Sequence, residues 1–213
     1  MSSELLSSVD REVHEPQRPS FVADGRHCID LIRRDVPLTP ETSILEVGCG
    51  YGLFTYHLAQ SCHVHGVDVS IDDLRLNPVR DVSLMDGTRL AFADESFDVV
   101  LAHHVLHHIV DQPRALSEMV RVARRYVVIA DLNRWNPVNR YFVAIGAEDM
   151  PDPYFTARQL SGVFERAGLR VLRRRTWGFM SPFLTPRILV PLQRLTQFEH
   201  PLGLEHLLVG EKV

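Results

Sequence analysis

The chain has 213 residues, 45% hydrophobic and 23% charged, with a net charge of −4. A chain of this length and composition buries a full core without disulfides or metals. Its mildly acidic balance leaves no electrostatic footprint for nucleic acid, so no nucleic-acid partner is expected. Cys28, Cys49 and Cys62 are odd in number and form no C-x-x-C pair, which fits a reducing compartment. The N-terminal decapeptide lacks a basic region and an apolar core, and no apolar run nears the roughly 18 residues that span a bilayer. A cytoplasmic protein without a transmembrane segment is the expectation.

Residues 1–20 are polar and include Pro16 and Pro19, which predicts a flexible N-terminal arm; residues 21–213 are expected as one domain. Phe21, Cys28, Ile29 and Ile32 share a helical stripe that predicts a helix to Arg34, stopped by Pro37 and Pro40. Ile44–Val47 reads as the first strand and Leu53–Gln60 as the helix it feeds. Val64–Val69 is a second strand, Ile71–Leu76 a weak helix cut by Asn77-Pro78, and Val82–Met85 a short third strand. Phe97–Ala102 is a fourth strand followed by a helix through about Ile109, and Pro113–Val122 is a further helix. Tyr126–Ala130 is apolar without alternation, as in a strand buried on both faces.

Beyond Asp131, Asn133-Arg134-Trp135-Asn136-Pro137 reads as a loop, and Thr156 caps a helix that ends near Ala167 with Gly168 after it. Leu169–Arg173 and His206–Val213 are the last two strands, and Arg173-Arg174-Arg175 reads as a solvated edge. Between them lies a Pro-punctuated, largely apolar insert, 177–203. Alternating strands and helices predict a Rossmann-like, doubly wound, mostly parallel sheet of seven strands.

The first strand ends in Glu46-Val47-Gly48-Cys49-Gly50-Tyr51-Gly52, and Asp68 closes the second. Glycines there let backbone approach a ligand, and a carboxylate ending the neighbouring strand grips the hydroxyls of a ribose. An adenosine-containing cofactor follows. Leu53 stands where a dinucleotide site wants its third glycine, and Glu46 would repel a pyrophosphate while suiting an ammonium group.

With Gly66-Val67-Asp68-Val69-Ser70, Met85-Asp86-Gly87, the run Phe92 to Val100 and Leu106-His107-His108-Ile109, the chain resembles the class I S-adenosylmethionine-dependent methyltransferases. The resemblance covers roughly residues 40 to 172 and the final strand, which it implies is antiparallel. It implies S-adenosylmethionine as cofactor, with Gly48, Cys49 and Gly50 along its homocysteine part and Glu46 organising the amino group. It further implies Asp68 on the ribose, Val69, Asp86 and Gly87 around the adenine, and His103 beneath the sulfonium. Two departures stand out: the stretch from Asp68 to Asp86 is short, which exposes the adenine, and Arg124-Arg125 replace the usual Gly-Gly turn.

The implied reaction is methyl transfer to a small, apolar acceptor, favoured at oxygen, in lipid, quinone, glycan or secondary-metabolite biosynthesis. A cofactor-binding module or cyclase-like enzyme without methyl transfer is the alternative. His103-His104-Val105-Leu106 stands where nucleic-acid aminomethylating enzymes carry Asn/Asp-Pro-Pro-aromatic. Among the histidines after the fourth strand, His104 or His107 is the candidate general base, since imidazole titrates near neutrality. Asp131, and with it Asn133, is placed to orient a hydroxyl. No metal site is expected, because no Glu completes a metal-binding pattern among these histidines. The 177–203 insert is read as a lid or an extra helix, and also offers a surface for peripheral membrane contact or a homodimer.

Overall fold

The computed structural model describes residues 15–144 and 155–213. Its sheet contains β1 (Ser43–Val47), β2 (His63–Asp68), β3 (Val82–Leu84), β4 (Phe97–His103), β5 (Ala123–Leu132), β6 (Leu169–Trp177) and β7 (Glu205–Lys212), in the order β3-β2-β1-β4-β5-β7-β6. The first five strands run parallel, and β7 is antiparallel to both β5 and β6. This is the Rossmann-like sheet that the alternation of elements predicts. Because the order reverses beside β1 and β4, a crevice opens at their carboxyl ends.

The helices are α1 (Pro19–Arg33), α2 (Thr55–Leu58), α3 (Ile71–Leu76), α4 (Gln112–Val122), α5 (Pro137–Ala144), α6 (Ala157–Arg166) and α7 (Val190–Leu195). On one face of the sheet Leu116, Met119, Leu160 and Phe164 of α4 and α6 pack on Val100, Val127 and Ile129. On the other, Leu31 and Ile32 of α1, with Leu58 and Trp177, cover Ile44, Leu101 and Val128. Alternate residues of β5 thus enter opposite cores, which is why its sequence shows no polar period. Each such buried Val or Ile contributes about 1.5–3 kcal/mol.

Caps set several boundaries. Ser70 accepts from Asp73 N, Asp111 from Arg114 N, and Thr156 and Gln159 close a reciprocal box. Gly168, at φ 77°, follows α6 in the left-handed conformation.

Four sequence expectations change. The arm falls mostly outside the described residues, and α1 begins at Pro19 rather than Phe21. The helix expected after β4 is only the 3₁₀ turn Leu106–His108: His104 sits at φ 52°, and the His107 N–H turns to the Asp131 carboxylate instead of a helical carbonyl. Asn136-Pro137 starts a helix, α5, since Asn136 Oδ1 accepts from Val138 N and Asn139 N. Finally, β6 runs through the arginines to Trp177. Arg173 and Arg174 are exposed, but Arg175 is buried and meets Asp35 at 2.8 Å.

Candidate functional site

The turn after β1 is held by its glycines. Gly48, Gly50 and Gly52 all take positive φ (74°, 45° and 88°). The N–H groups of Gly48 and Cys49 both donate to Val67 O. A Cβ on Gly48 would lie 2.2 Å from Val105, and one on Gly52 would lie 2.4 Å from Asn77 Oδ1. At Gly50 the nearest atom would be Asp68 Oδ2, 3.9 Å away, so this stretch of backbone is open to a ligand. Asn77 donates to Gly50 O and thereby ties the turn to the end of α3.

Asp68 Oδ2 accepts from Gly50 N at 2.8 Å and Oδ1 from Ser70 N at 2.9 Å, which fixes the carboxylate at the crevice. Glu46 is 2% exposed, and its Oε2 has no hydrogen-bond partner among the described residues. Burial pushes its carboxyl up to about 8, and the Asp68 charge adds to the effect. Burial likewise pushes the Cys49 thiol up, and its Sγ fills the space beside Gly66.

These residues form one flank of a cavity of about 430 Å³. The other flank comes from His103, His104, Val105 and His107 after β4, from Phe21 and Asp24 of α1, and from Pro182 and Phe183 of the insert. His103 is stacked between Phe54 and His104, with ring centroids 4.2 Å apart on each side. Burial, and then the His104 charge, holds its pKa well below the ordinary imidazole value.

His104 differs. Its Nε2 lies 3.2 Å from Oε2 of Glu205, a fully buried carboxylate. Burial opposes charge on His104, but Glu205 outweighs it, with help from Asp131 and Asp24, and raises the imidazole to about 9. Asp24 is pushed well above the carboxylate range by burial and then by Glu205.

His107 is held by a second carboxylate. Its Nδ1 is 2.5 Å from Asp131 Oδ1, and its main-chain N–H donates to Asp131 Oδ2 at 3.2 Å. Both side chains are buried. Burial alone would raise the Asp131 pKa, yet the His107 interaction brings it below the ordinary value. Asn133 plays no such part: its amide holds Pro201 O and Gly203 O, while Asn139 ties Asn133 O to Leu204 O.

Glu46, Gly48, Cys49, Gly50, Asp68, His103, His104 and His107 therefore surround one cavity. Val69 lies outside it at 70% exposure, and Gly87 is buried beside Val47. Asp86 is exposed, with Oδ1 accepting from Thr88 N and Oγ1. Asp131 reaches the cavity only through His107. Sequence reading missed Asp24 and Glu205. Asp24 carried a signal, since it falls three residues after Phe21 and four before Cys28 on the buried stripe; Glu205 carried none.

Among the described residues, His103, His104 and Glu205 place three ligand atoms within 4.8 Å of one another. The two imidazoles are only 13° from parallel, so a shared ion, which must lie in both ring planes, would require one ring to turn.

Residues 45–129 match the model of a methyltransferase domain family. Over 95 residues the chain is 37% identical to a demethylmenaquinone methyltransferase of Corynebacterium urealyticum, covering 43% of this chain and 41% of that protein. Over 92 residues it is 34% identical to a phosphatidylethanolamine N-methyltransferase of Cereibacter sphaeroides, covering 38% and 45%. The chain spans about half the length of the curated relatives it matches. The fold superposes on a methyltransferase of Thermotoga maritima with a TM-score of 0.70 and 19% identity, over 89% of both chains. Residues 45–129 are thus similar to a methyltransferase domain, and the sheet has the fold of solved S-adenosylmethionine-dependent methyltransferases. The cavity suits that cofactor on two counts: an unpartnered, buried Glu46 oxygen for an ammonium group, and open backbone at Gly50.

Proposed function

We propose that this chain transfers a methyl group from S-adenosylmethionine to a small, apolar acceptor, at an oxygen atom. The observation that carries the reading is one cavity with two unlike flanks: carboxylates and glycine backbone on one side, imidazoles and apolar side chains on the other. The demethylmenaquinone and phosphatidylethanolamine enzymes among its relatives support an acceptor of quinone or lipid character.

When bound, S-adenosylmethionine supplies an electrophilic methyl group on a positively charged sulfur. Glu46 holds the ammonium group, and Gly48, Cys49 and Gly50 admit the homocysteine chain. Asp68 takes the ribose hydroxyls with the lone pairs left beside its two backbone bonds. Val69 flanks the adenine, Gly87 backs it beside Val47, and Asp86 meets its amino group with the oxygen that Thr88 does not use. The neutral ring of His103 closes the floor.

On the acceptor flank His107 is the general base. Asp131 accepts from Nδ1, fixes the ring and stabilises the imidazolium formed when Nε2 takes the acceptor's proton. His104 is already an imidazolium at neutral pH, so it attracts the developing oxyanion rather than removing a proton. Phe21, Pro182 and Phe183 supply the apolar wall.

The test is incubation with methyl-labelled S-adenosylmethionine and fractionated lipid and polar cell extracts, with mass analysis of the labelled product. Label in an apolar small molecule, matched by stoichiometric S-adenosylhomocysteine, is expected. Folded protein that shows no calorimetric binding of S-adenosylhomocysteine, or label confined to polar fractions, overturns the proposal.

A further inference from the structure

The insert between β6 and β7 is built inside out. In α7 the polar Gln193 is buried at 1% exposure, with its amide donating to Ser20 O of α1, and Val190 packs beside it. Leu192 and Leu195 of the same helix face outward, Leu195 at 77% exposure. A helix packed for water does the reverse. The preceding 3₁₀ turn, Arg187–Leu189, adds exposed Ile188 (84%) and Leu189, and Leu184 and Phe198 flank the turn and the helix.

This apolar surface is firmly held. Arg18 donates to Phe183 O and Thr185 O, and the Phe21 and Phe183 rings meet edge to face at 4.9 Å. Its charge is one-sided: from Phe179 to Phe198 the only charged residues are Arg187 and Arg194, in a chain of net charge −4. Both arginines are exposed.

The surface also runs into the cavity. Pro182 and Phe183 line it, and Leu184 follows on the outside. Since β7 is antiparallel to β5, the insert joins it at the end of the sheet where β1 and β4 open the crevice. The loop after β5 reaches the same end and carries Trp135 at 60% exposure, tied to the insert's tail by Asn136 Nδ2 donating to Leu202 O.

We infer that this face seats on an anionic lipid bilayer, with Ile188, Leu192 and Leu195 in the acyl boundary, the two arginines at the phosphates, and the cavity mouth turned to the membrane. A lipid-like acceptor then enters along Phe183 without crossing water. The entry route rests on the acceptor proposed above; the membrane contact does not.

The test is co-sedimentation of the full chain with phosphatidylcholine vesicles and with vesicles of 70% phosphatidylcholine and 30% phosphatidylglycerol. Binding to the anionic vesicles is expected, falling at least tenfold in I188E/L195E and several-fold in R187S/R194S or at high salt. Both altered pairs are exposed, and I188S/L195S serves if the glutamates impair folding. No binding, or binding unchanged in the variants, overturns the inference. So does a dimer in analytical ultracentrifugation that I188E/L195E dissolves without any vesicle binding, since a second copy then covers the face. S-adenosylhomocysteine titration of the same preparations reports separately on the cofactor site.

Discussion

Replacing Glu46 by Gln sets fold stability against cofactor binding. The carboxyl rises from 4.5 to about 8 in the fold, chiefly by burial. At ~1.36 kcal/mol per pKa unit, ionising Glu46 in the free protein costs about 5 kcal/mol. A carboxyl with a raised folded-state pKa contributes stability that is fully present below 4.5 and is lost as pH rises through about 8. The wild type should therefore lose up to ~1.4 kcal/mol per pH unit across this window from Glu46 alone. Glu46→Gln, which never ionises, should lack that slope and be the more stable protein at pH 8.

Cofactor affinity should move the other way. A desolvated carboxylate–ammonium pair is lost at a cost of about 2–5 kcal/mol. Glu46→Gln should accordingly bind S-adenosylhomocysteine roughly 30- to 5000-fold more weakly at pH 8. Wild-type affinity should climb by up to about tenfold per pH unit from pH 6, because binding expels the Glu46 proton, while the variant stays flat. Urea titrations at several pH values measure the stability slopes. Calorimetry in buffers of different ionisation enthalpy reads the released proton. Parallel slopes, or a variant that binds within threefold of wild type at pH 8, would refute the reasoning.

Gly48→Ala adds a Cβ at φ 74° and 2.2 Å from Val105, so a loss of about 1–3 kcal/mol in denaturant stability and a marked loss of S-adenosylhomocysteine binding are expected. Asp68→Ala frees the Gly50 and Ser70 N–H groups and removes the ribose acceptor; calorimetry should show at least tenfold weaker binding of S-adenosylhomocysteine. With the acceptor found by labelling, His107→Ala should lower kcat by about 10²–10⁴ while the S-adenosylhomocysteine Kd stays within threefold. Asp131→Asn should lower kcat as well; equal damage to kcat and cofactor Kd would count against a base.

Where local sequence carries its own instructions, the structure agrees with it. Ile71–Leu76 is a helix with those limits because Ser70 caps it and Asn77-Pro78 stops it. The glycine turn is legible because steric freedom belongs to the residue itself. The fourth predicted helix misled: the stretch through Ile109 makes only a 3₁₀ turn, because the His107 N–H finds its acceptor in Asp131. Arg175 misled in the same way: it belongs to an arginine run that elsewhere faces solvent, and only Asp35 and Glu199, brought alongside by folding, draw it inward.

By itself the sequence determined the β–turn–α unit around Glu46 to Leu58, the carboxylate at Asp68 and the doubly buried β5, because each depends on backbone sterics or apolar period within a few residues. It also named the histidines without dividing their roles. Only the tertiary structure tells them apart, setting Glu205 against His104, whose pKa it raises, and Asp131 against His107. The same holds for the insert: its sequence allows a lid, an extra helix or a contact surface, and only the contact of Gln193 with α1 fixes which side of α7 faces outward. Charges and faces of this kind are fixed by partners distant in the chain, and no local pattern records them.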